Sequence, residues 1–418
     1  MRLFKRVVLG VSLLCLLSGS VLAQAKFAIK NGDRVLFYGD SITEQKLYTV
    51  YAETFIVTRF PKLNVSFVHA GIGGDRVGGG WAGPIDLRLD RDVNPFKPTV
   101  MSIMLGMNDG SYRAFDKGIY DIYCNGYKHI LDRLKAENPK LRLTLIQASP
   151  YDDVTRAPGF MGGYNAVLVN YGEFVKEQAR TRGMNAADLN GSLVGVLARA
   201  VAADPTMAQK IVGDRVHPGP GGHLIMAEAL VKSWNAPAIV SFVEINAGGS
   251  NIAKAVNTSV SELSVAPQNI AWTQLDGALP FPINTKDEVI MLAINSSDFI
   301  EALNQQTLQV TGLTGAKYAL TIDGAAVGSF TREELTAGVN LAALDTPMAK
   351  QAATVLDLTF KHNNIHREIW QKGQGNYAKM TAEEKVKFNT MDPTEVEAIK
   401  AQKEAAQPKP HKFALTEE

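Results

Sequence analysis

The sequence predicts an α/β fold, three layers (α/β/α) around a mostly parallel five-stranded sheet, with further domains behind it. The first ground is alternation. From Asp33 to about Ala236, short apolar runs alternate with helix-length amphipathic segments, the pattern of βαβ units. The second is texture. The runs are almost continuously apolar, as strands covered on both faces must be. The third is a break after Ala238, where alternating segments with Gly punctuation suggest a small β-rich domain.

Taken in order, the strand candidates are Arg34–Tyr38, Asn64–His69, Thr99–Leu105, Leu141–Ala148 and Met184–Leu189. Leu224–Trp234 is the closing helix, entered through Pro218-Gly219-Pro220-Gly221-Gly222. Strand-like segments follow at Ile270–Gln274, Val289–Ile294, Leu308–Val310 and Tyr318–Ile322. From Thr346 the reading is helical, and the polar tail past Lys379 is read as helical with a partly disordered end. The expected division is therefore 1–25, 26–238, 239–345 and 346–418.

Residues 1–25 read as an export signal. Arg2, Lys5 and Arg6 precede the apolar run Val7–Leu17, and Val21-Leu22-Ala23 or Ala23-Gln24-Ala25 offers a cleavage site. The run is short for a membrane span, and Cys15 lacks the small residue expected before a lipidated cysteine. A secreted or periplasmic protein with no stable membrane insertion is expected. Without the signal, 40 basic residues face 42 acidic ones, which gives no reason to expect nucleic acid as a partner. Only Cys124 remains, so no intrachain disulfide is expected.

Four loop motifs carry chemistry. Gly39-Asp40-Ser41-Ile42 closes the first strand, where open α/β sheets place ligands, although Gly-Asp-Ser is also an ordinary helix cap. His69-Ala70-Gly71-Ile72-Gly73-Gly74-Asp75 follows the second, and its glycines let backbone N–H groups approach a ligand. It lacks the third glycine of a dinucleotide loop, since Arg76 stands there. Gly106-Met107-Asn108-Asp109 closes the third strand with an amide able to donate to an oxyanion. Asp214-Arg215-Val216-His217 spaces a carboxylate to orient an imidazole, and a serine nucleophile needs both.

Together these blocks resemble the SGNH hydrolase superfamily (GDSL-like esterases) over roughly residues 33–236. The resemblance implies a flavodoxin-like fold. It also implies Ser41 as nucleophile and first oxyanion N–H, Gly74 as second N–H, Asn108 as side-chain donor, His217 as base and Asp214 as its partner. One departure is His69, where the family often has Asn. No metal or organic cofactor is implied. The α/β-hydrolase elbow is excluded because Thr43 stands where G-x-S-x-G needs glycine. His362 and His366, spaced i, i+4, lack the Glu of a zinc motif and read as a surface helix.

Asp40, Trp81, Tyr151 and Asp152 are candidate substrate contacts, in loops whose aromatic and polar mixture suits a sugar. The expected substrate is a small-molecule or polysaccharide ester, with an acetylated carbohydrate first. A lysophospholipase, thioesterase or short-chain esterase is the alternative within enzymes. A glycan-binding protein with a vestigial site is the alternative outside them.

Overall fold

The computed structural model describes residues 26–374 and 376–418. The expected export signal lies outside them. Among the described residues, no helix is long and apolar enough to cross a membrane.

Five parallel strands form the first sheet: β1 (Arg34–Gly39), β2 (Ser66–Gly71), β3 (Val100–Met104), β4 (Arg142–Gln147) and β5 (Asn185–Asp188). Their order is β2-β1-β3-β4-β5, and every pairing is parallel. This is the flavodoxin-like order, whose switch point between β1 and β3 is where such sheets bind ligands. The strands are apolar because helices cover both faces, and β3 is buried along its whole length.

Those helices are α1 (Ser41–Glu44), α2 (Leu47–Arg59), α3 (Ile85–Asp92), α4 (Lys117–Glu137), α5 (Gly163–Arg182), α6 (Leu189–Ala203) and α7 (Pro220–Ser233). Aspartates start several of them. Asp116 caps α4 through the Ile119 N–H, and Asp188 caps α6 through the Gly191 N–H. Trp234, just beyond α7, is buried and donates to Thr144 Oγ1 at 2.9 Å, fixing the end of this layer on β4.

Two further sheets follow. One places β6 (Ile239–Asn246) between β7 (Asn251–Val256) and β10 (Gln305–Thr311). The other has the order β8-β9-β13-β11-β12, built from Thr258–Ala266, Asn269–Asp276, His411–Glu417, Lys317–Ile322 and Ala325–Thr331.

Two segments take a different form from the one expected. Val289–Ile294 is not a strand but the body of α8 (Glu288–Asn295). Asp287 caps it by accepting from the Val289 and Ile290 N–H groups, and the helix lies close over Gly221 of α7. Short apolar runs do not distinguish the two elements. The polar end of the chain, expected to be helical with a partly disordered tip, is instead the central strand β13, antiparallel to β9 and β11. Phe413 stacks on Trp272 with centroids 5.1 Å apart, and Leu415 is fully buried.

Before that strand, α9 (Pro347–Gln374) packs back onto α2, and α10 (Pro393–Ala405) packs on α9 and reaches α2 through Gln402. Their junction is polar. Buried Glu53 of α2 accepts from His69 Nε2 (3.0 Å), His362 Nε2 (2.6 Å), Asn363 Nδ2 (3.1 Å) and Gln402 Nε2 (2.8 Å). Burial works against the Glu53 charge, but His362 and the hydrogen bonds outweigh it and hold the carboxyl far below its usual range. His362 is therefore no surface residue, and its helix partner His366 meets Glu395 at 3.3 Å. Among the described residues, no cluster able to hold a metal is present.

Candidate active site

The loops leaving β1, β2 and β3 meet the loop entering α7 at the switch point. Ser41 is the first residue of α1, set directly on the end of β1. The fit is tight: a Cβ on Gly39 would lie 2.8 Å from Met104 O, and one on Gly71 would lie 2.3 Å from Glu44 N. Glycine at both places lets α1 rest on the sheet edge and turns Ser41 toward the cleft. Asp40 caps α1, accepting from the Ile42 N–H at 3.0 Å.

His217 reaches Ser41 from across the cleft. Its Nε2 lies 2.9 Å from Ser41 Oγ, and its Nδ1 lies 2.7 Å from Asp214 Oδ2. The other oxygen of Asp214 accepts from the Val216 and His217 N–H groups at 2.9 and 2.7 Å. Burial alone would raise the Asp214 pKa, but the hydrogen bonds from His217 and Val216 outweigh it and keep the carboxyl ionised below its ordinary value. An ionised Asp214 fixes the imidazole with Nδ1 protonated, which leaves Nε2 free to accept the serine proton.

Gly74 stands at φ +74° on an open stretch where a Cβ would touch nothing. Among the described residues, no acceptor takes the N–H of Ser41 or of Gly74. Asn108 is buried and donates one amide hydrogen to Asp75 O at 3.1 Å, leaving the second available. Ser41, Gly74, Asn108, Asp214 and His217 are thus gathered on one set of loops, as expected from their motifs.

The candidate substrate contacts divide. Trp81 is 69% exposed, and its indole N–H holds Gly73 O at 2.7 Å, so its ring stands at the rim beside Gly74. Tyr151 is half-buried, 6.2 Å from the ring of Tyr112. The other two are not available to a ligand. Asp40 is buried beneath α1 as its cap. Burial pushes its carboxyl up to about 7, with repulsion from Asp109 and Asp75 adding to the shift against the Ile42 bond.

Asp152 is also fully buried, with its oxygens taken by the Val154 and Thr155 N–H groups, the Thr155 hydroxyl and Arg156. Arg156 in turn donates to Val212 O and Gly213 O, each at 2.9 Å. Asp152 therefore props the loop that carries Asp214 and His217.

Sequence reasoning missed the supports of the Gly74 loop and its neighbours. Asp75 accepts from Tyr38 Oη at 3.1 Å and from Arg88 Nε at 3.0 Å, tying the residue after Gly74 to the core. Glu44 accepts from Gln371 at 2.6 Å, bringing α9 to the back of the Ser41 helix. Tyr112 donates its hydroxyl to Asn108 Oδ1 at 3.0 Å. Adjacency to Gly74 was the one available signal for Asp75. The other contacts arise between segments with no shared local pattern.

Residues 37–225 match the model of the GDSL-like lipase/acylhydrolase family. An acetylxylan esterase of Geobacillus stearothermophilus is 27% identical over 222 residues, 49% of this chain and 94% of the relative. Among solved structures, a gut microbial diltiazem-metabolizing enzyme superposes with a TM-score of 0.81 at 25% identity, covering 94% of this chain and 100% of that one. A variant of an acetyl-xylooligosaccharide esterase from Geobacillus covers 50% of this chain and 96% of its own at 25% identity, with a TM-score of 0.40. The segment that carries the four motifs thus belongs to the GDSL-like lipase/acylhydrolase family of the SGNH superfamily, and the chain is an ester-cleaving hydrolase.

Proposed function

We propose that the protein is an exported acetyl esterase acting on an acetylated carbohydrate through a Ser41–His217–Asp214 triad. The observation that carries the reading is the unbroken relay Ser41 Oγ to His217 Nε2 at 2.9 Å and His217 Nδ1 to Asp214 at 2.7 Å. Its place at the sheet's switch point adds support.

In this mechanism Ser41 Oγ attacks the ester carbonyl carbon as its proton passes to His217 Nε2. The carbonyl π electrons move onto oxygen, where the N–H groups of Ser41 and Gly74 and the Asn108 amide stabilise the charge. Collapse of the tetrahedral adduct expels the alcohol, which takes the proton from His217 and leaves acetyl-Ser41. Water then attacks with His217 again as base, releasing acetate and restoring the serine. Asp214 stabilises the imidazolium in both halves.

The acetylxylan esterase relative supports an acetylated glycan, and the exposed Trp81 ring offers a face for a sugar. A second reading, a small-molecule acetate ester, is favoured by the diltiazem-metabolizing relative, which matches over nearly the whole chain. Diltiazem itself carries an acetate ester. Acetate release from acetylated xylan, other acetylated glycans and diltiazem, by wild type and Ser41→Ala, tests both. Ser41-dependent release from a glycan is the expected outcome. Release from diltiazem alone would favour the second reading, and release by Ser41→Ala at the wild-type rate would overturn the mechanism.

A further inference from the structure

Asn108 can serve an oxyanion only if its amide faces the right way. Its two ends are nearly the same shape, and a flipped amide would aim a carbonyl oxygen at the developing negative charge. Asp75 O selects the useful orientation, and the Tyr112 hydroxyl, which could pair with either end, holds the amide in it. Asp75 O, which can only accept, takes one hydrogen of Nδ2 at 3.1 Å. The Tyr112 hydroxyl donates to Oδ1 at 3.0 Å. With both made, the remaining N–H of Nδ2 is the free donor.

The backbone around Tyr112 is built at a cost. Ser111 and Tyr112 are consecutive non-glycine residues in the left-handed region, at φ 57° and 53°. Such strain persists only where surrounding contacts over-determine it, and it concentrates at functional sites. The contacts here are specific. The Tyr112 ring lies 5.0 Å from Tyr164 and 6.2 Å from Tyr151, and Tyr164 is itself pinned by donating to Met107 O at 2.6 Å. Gly110 makes room, since a Cβ there would meet Tyr164 Oη at 2.5 Å. A tyrosine serving only as an aromatic wall would need neither the strained turn nor a hydroxyl aimed at Asn108.

We propose that Tyr112 is a positioning residue for the oxyanion hole, its hydroxyl holding Asn108 in the orientation that presents Nδ2 to the reacting carbonyl. The inference rests on the reading of Asn108 as an oxyanion donor. Burial pushes the Tyr112 phenol up to about 12, so it remains a donor throughout the range in which the enzyme would work.

The test is a double-mutant cycle on p-nitrophenyl acetate, reading kcat and KM separately. Asn108→Ala is expected to lower kcat about 10²–10³-fold. Tyr112→Phe keeps the ring and its packing, and is expected to lower kcat about tenfold, the worth of one hydrogen bond, with KM unchanged. In the Asn108→Ala background the Phe substitution is expected to change kcat no further. Unchanged kcat in Tyr112→Phe alone, or an equal loss in both backgrounds, overturns the positioning role. So does a rise in KM without a fall in kcat, which would make Tyr112 a binding wall. Wild-type kcat in Asn108→Ala is a different result, because it removes the oxyanion reading itself and the proposal with it.

Discussion

The cleft at the end of the first sheet and the junction at Glu53 are both polar assemblies of an acid with histidine, yet they are built in opposite ways. In the cleft, Asp214 is three residues from His217, and its side chain is 60% exposed. At the junction, Glu53 meets His69 from 16 positions away and three residues from 309 to 349 positions away, and is fully enclosed. The first arrangement keeps an imidazole reachable by substrate. The second satisfies a buried carboxylate on every side, so that a C-terminal helix pair can be fixed to the hydrolase core. An acid beside a histidine therefore says little by itself. Exposure and sequence separation distinguish the open pair from the enclosed one.

The largest expected effect comes from the distant end. Deleting residues 411–418 removes the central strand of a five-stranded sheet, leaving β9 and β11 with unpaired edges. No soluble, cooperatively unfolding protein is expected, and expression followed by circular dichroism and thermal melting reads this. A truncated protein that melts like wild type would show that the extension is a separable part.

Next is Asp214→Asn, expected to lower kcat on a small acetate ester by about 10⁴-fold, as when a triad histidine loses its orienting carboxylate. The melting temperature should not move, because this carboxylate is exposed. A large loss of stability would erase the contrast with Glu53.

Glu53→Ala should do the reverse. It strips the buried Nε2 atoms of His69 and His362 of their carboxylate and takes one of two acceptors from Asn363 and Gln402, at a cost of about 3–5 kcal/mol of folding free energy. The kcat of the folded fraction should stay near wild type. Denaturant unfolding paired with kinetics below the transition measures both.

The junction should also respond to pH. Burial opposes the charge on His362, but Glu53 outweighs it and raises the histidine above its ordinary 6.5. That stabilisation is complete below pH 6.5 and is lost as pH rises through the folded pKa. The depressed Glu53 contributes above its ordinary 4.5 and loses its contribution as pH falls. Burial pushes His69 down to about 4, against partial opposition from Glu53, so acid also penalises folding through this ring. The stability difference between wild type and His362→Asn should be greatest between pH 4.5 and 6.5 and shrink toward pH 8. A difference that stays flat with pH would mean that His362 binds Glu53 as a neutral ring.

The smallest effect is expected at Asp40→Asn. Asparagine caps a helix about as well as aspartate, so the change should cost under about 1 kcal/mol. It also removes a carboxyl raised to about 7 from beneath Ser41. The measurement is the pH profile of kcat/KM, which should keep its shape.

By itself, the sequence determined the parallel sheet and pointed to five residues that meet in the cleft, because both readings rest on short-range patterns. A strand buried on both faces must be apolar throughout, and loops at strand ends must carry glycine where a helix or ligand comes close. Ser41, Asn108 and the Asp214–His217 pair each sit at a fixed offset from such a feature. Tertiary structure alone decided which side chains are buried supports and which line the open cleft. Asp40 and Asp152 look like cleft residues in the sequence but spend their oxygens on their own loops. Trp81 and Tyr151 stayed accessible. Helix against strand for Val289–Ile294 was settled by a cap and a facing glycine, and the place of β13 by pairing across more than a hundred residues on one side. Such pairings depend on complementarity between distant segments, and complementarity leaves no period or motif along the chain.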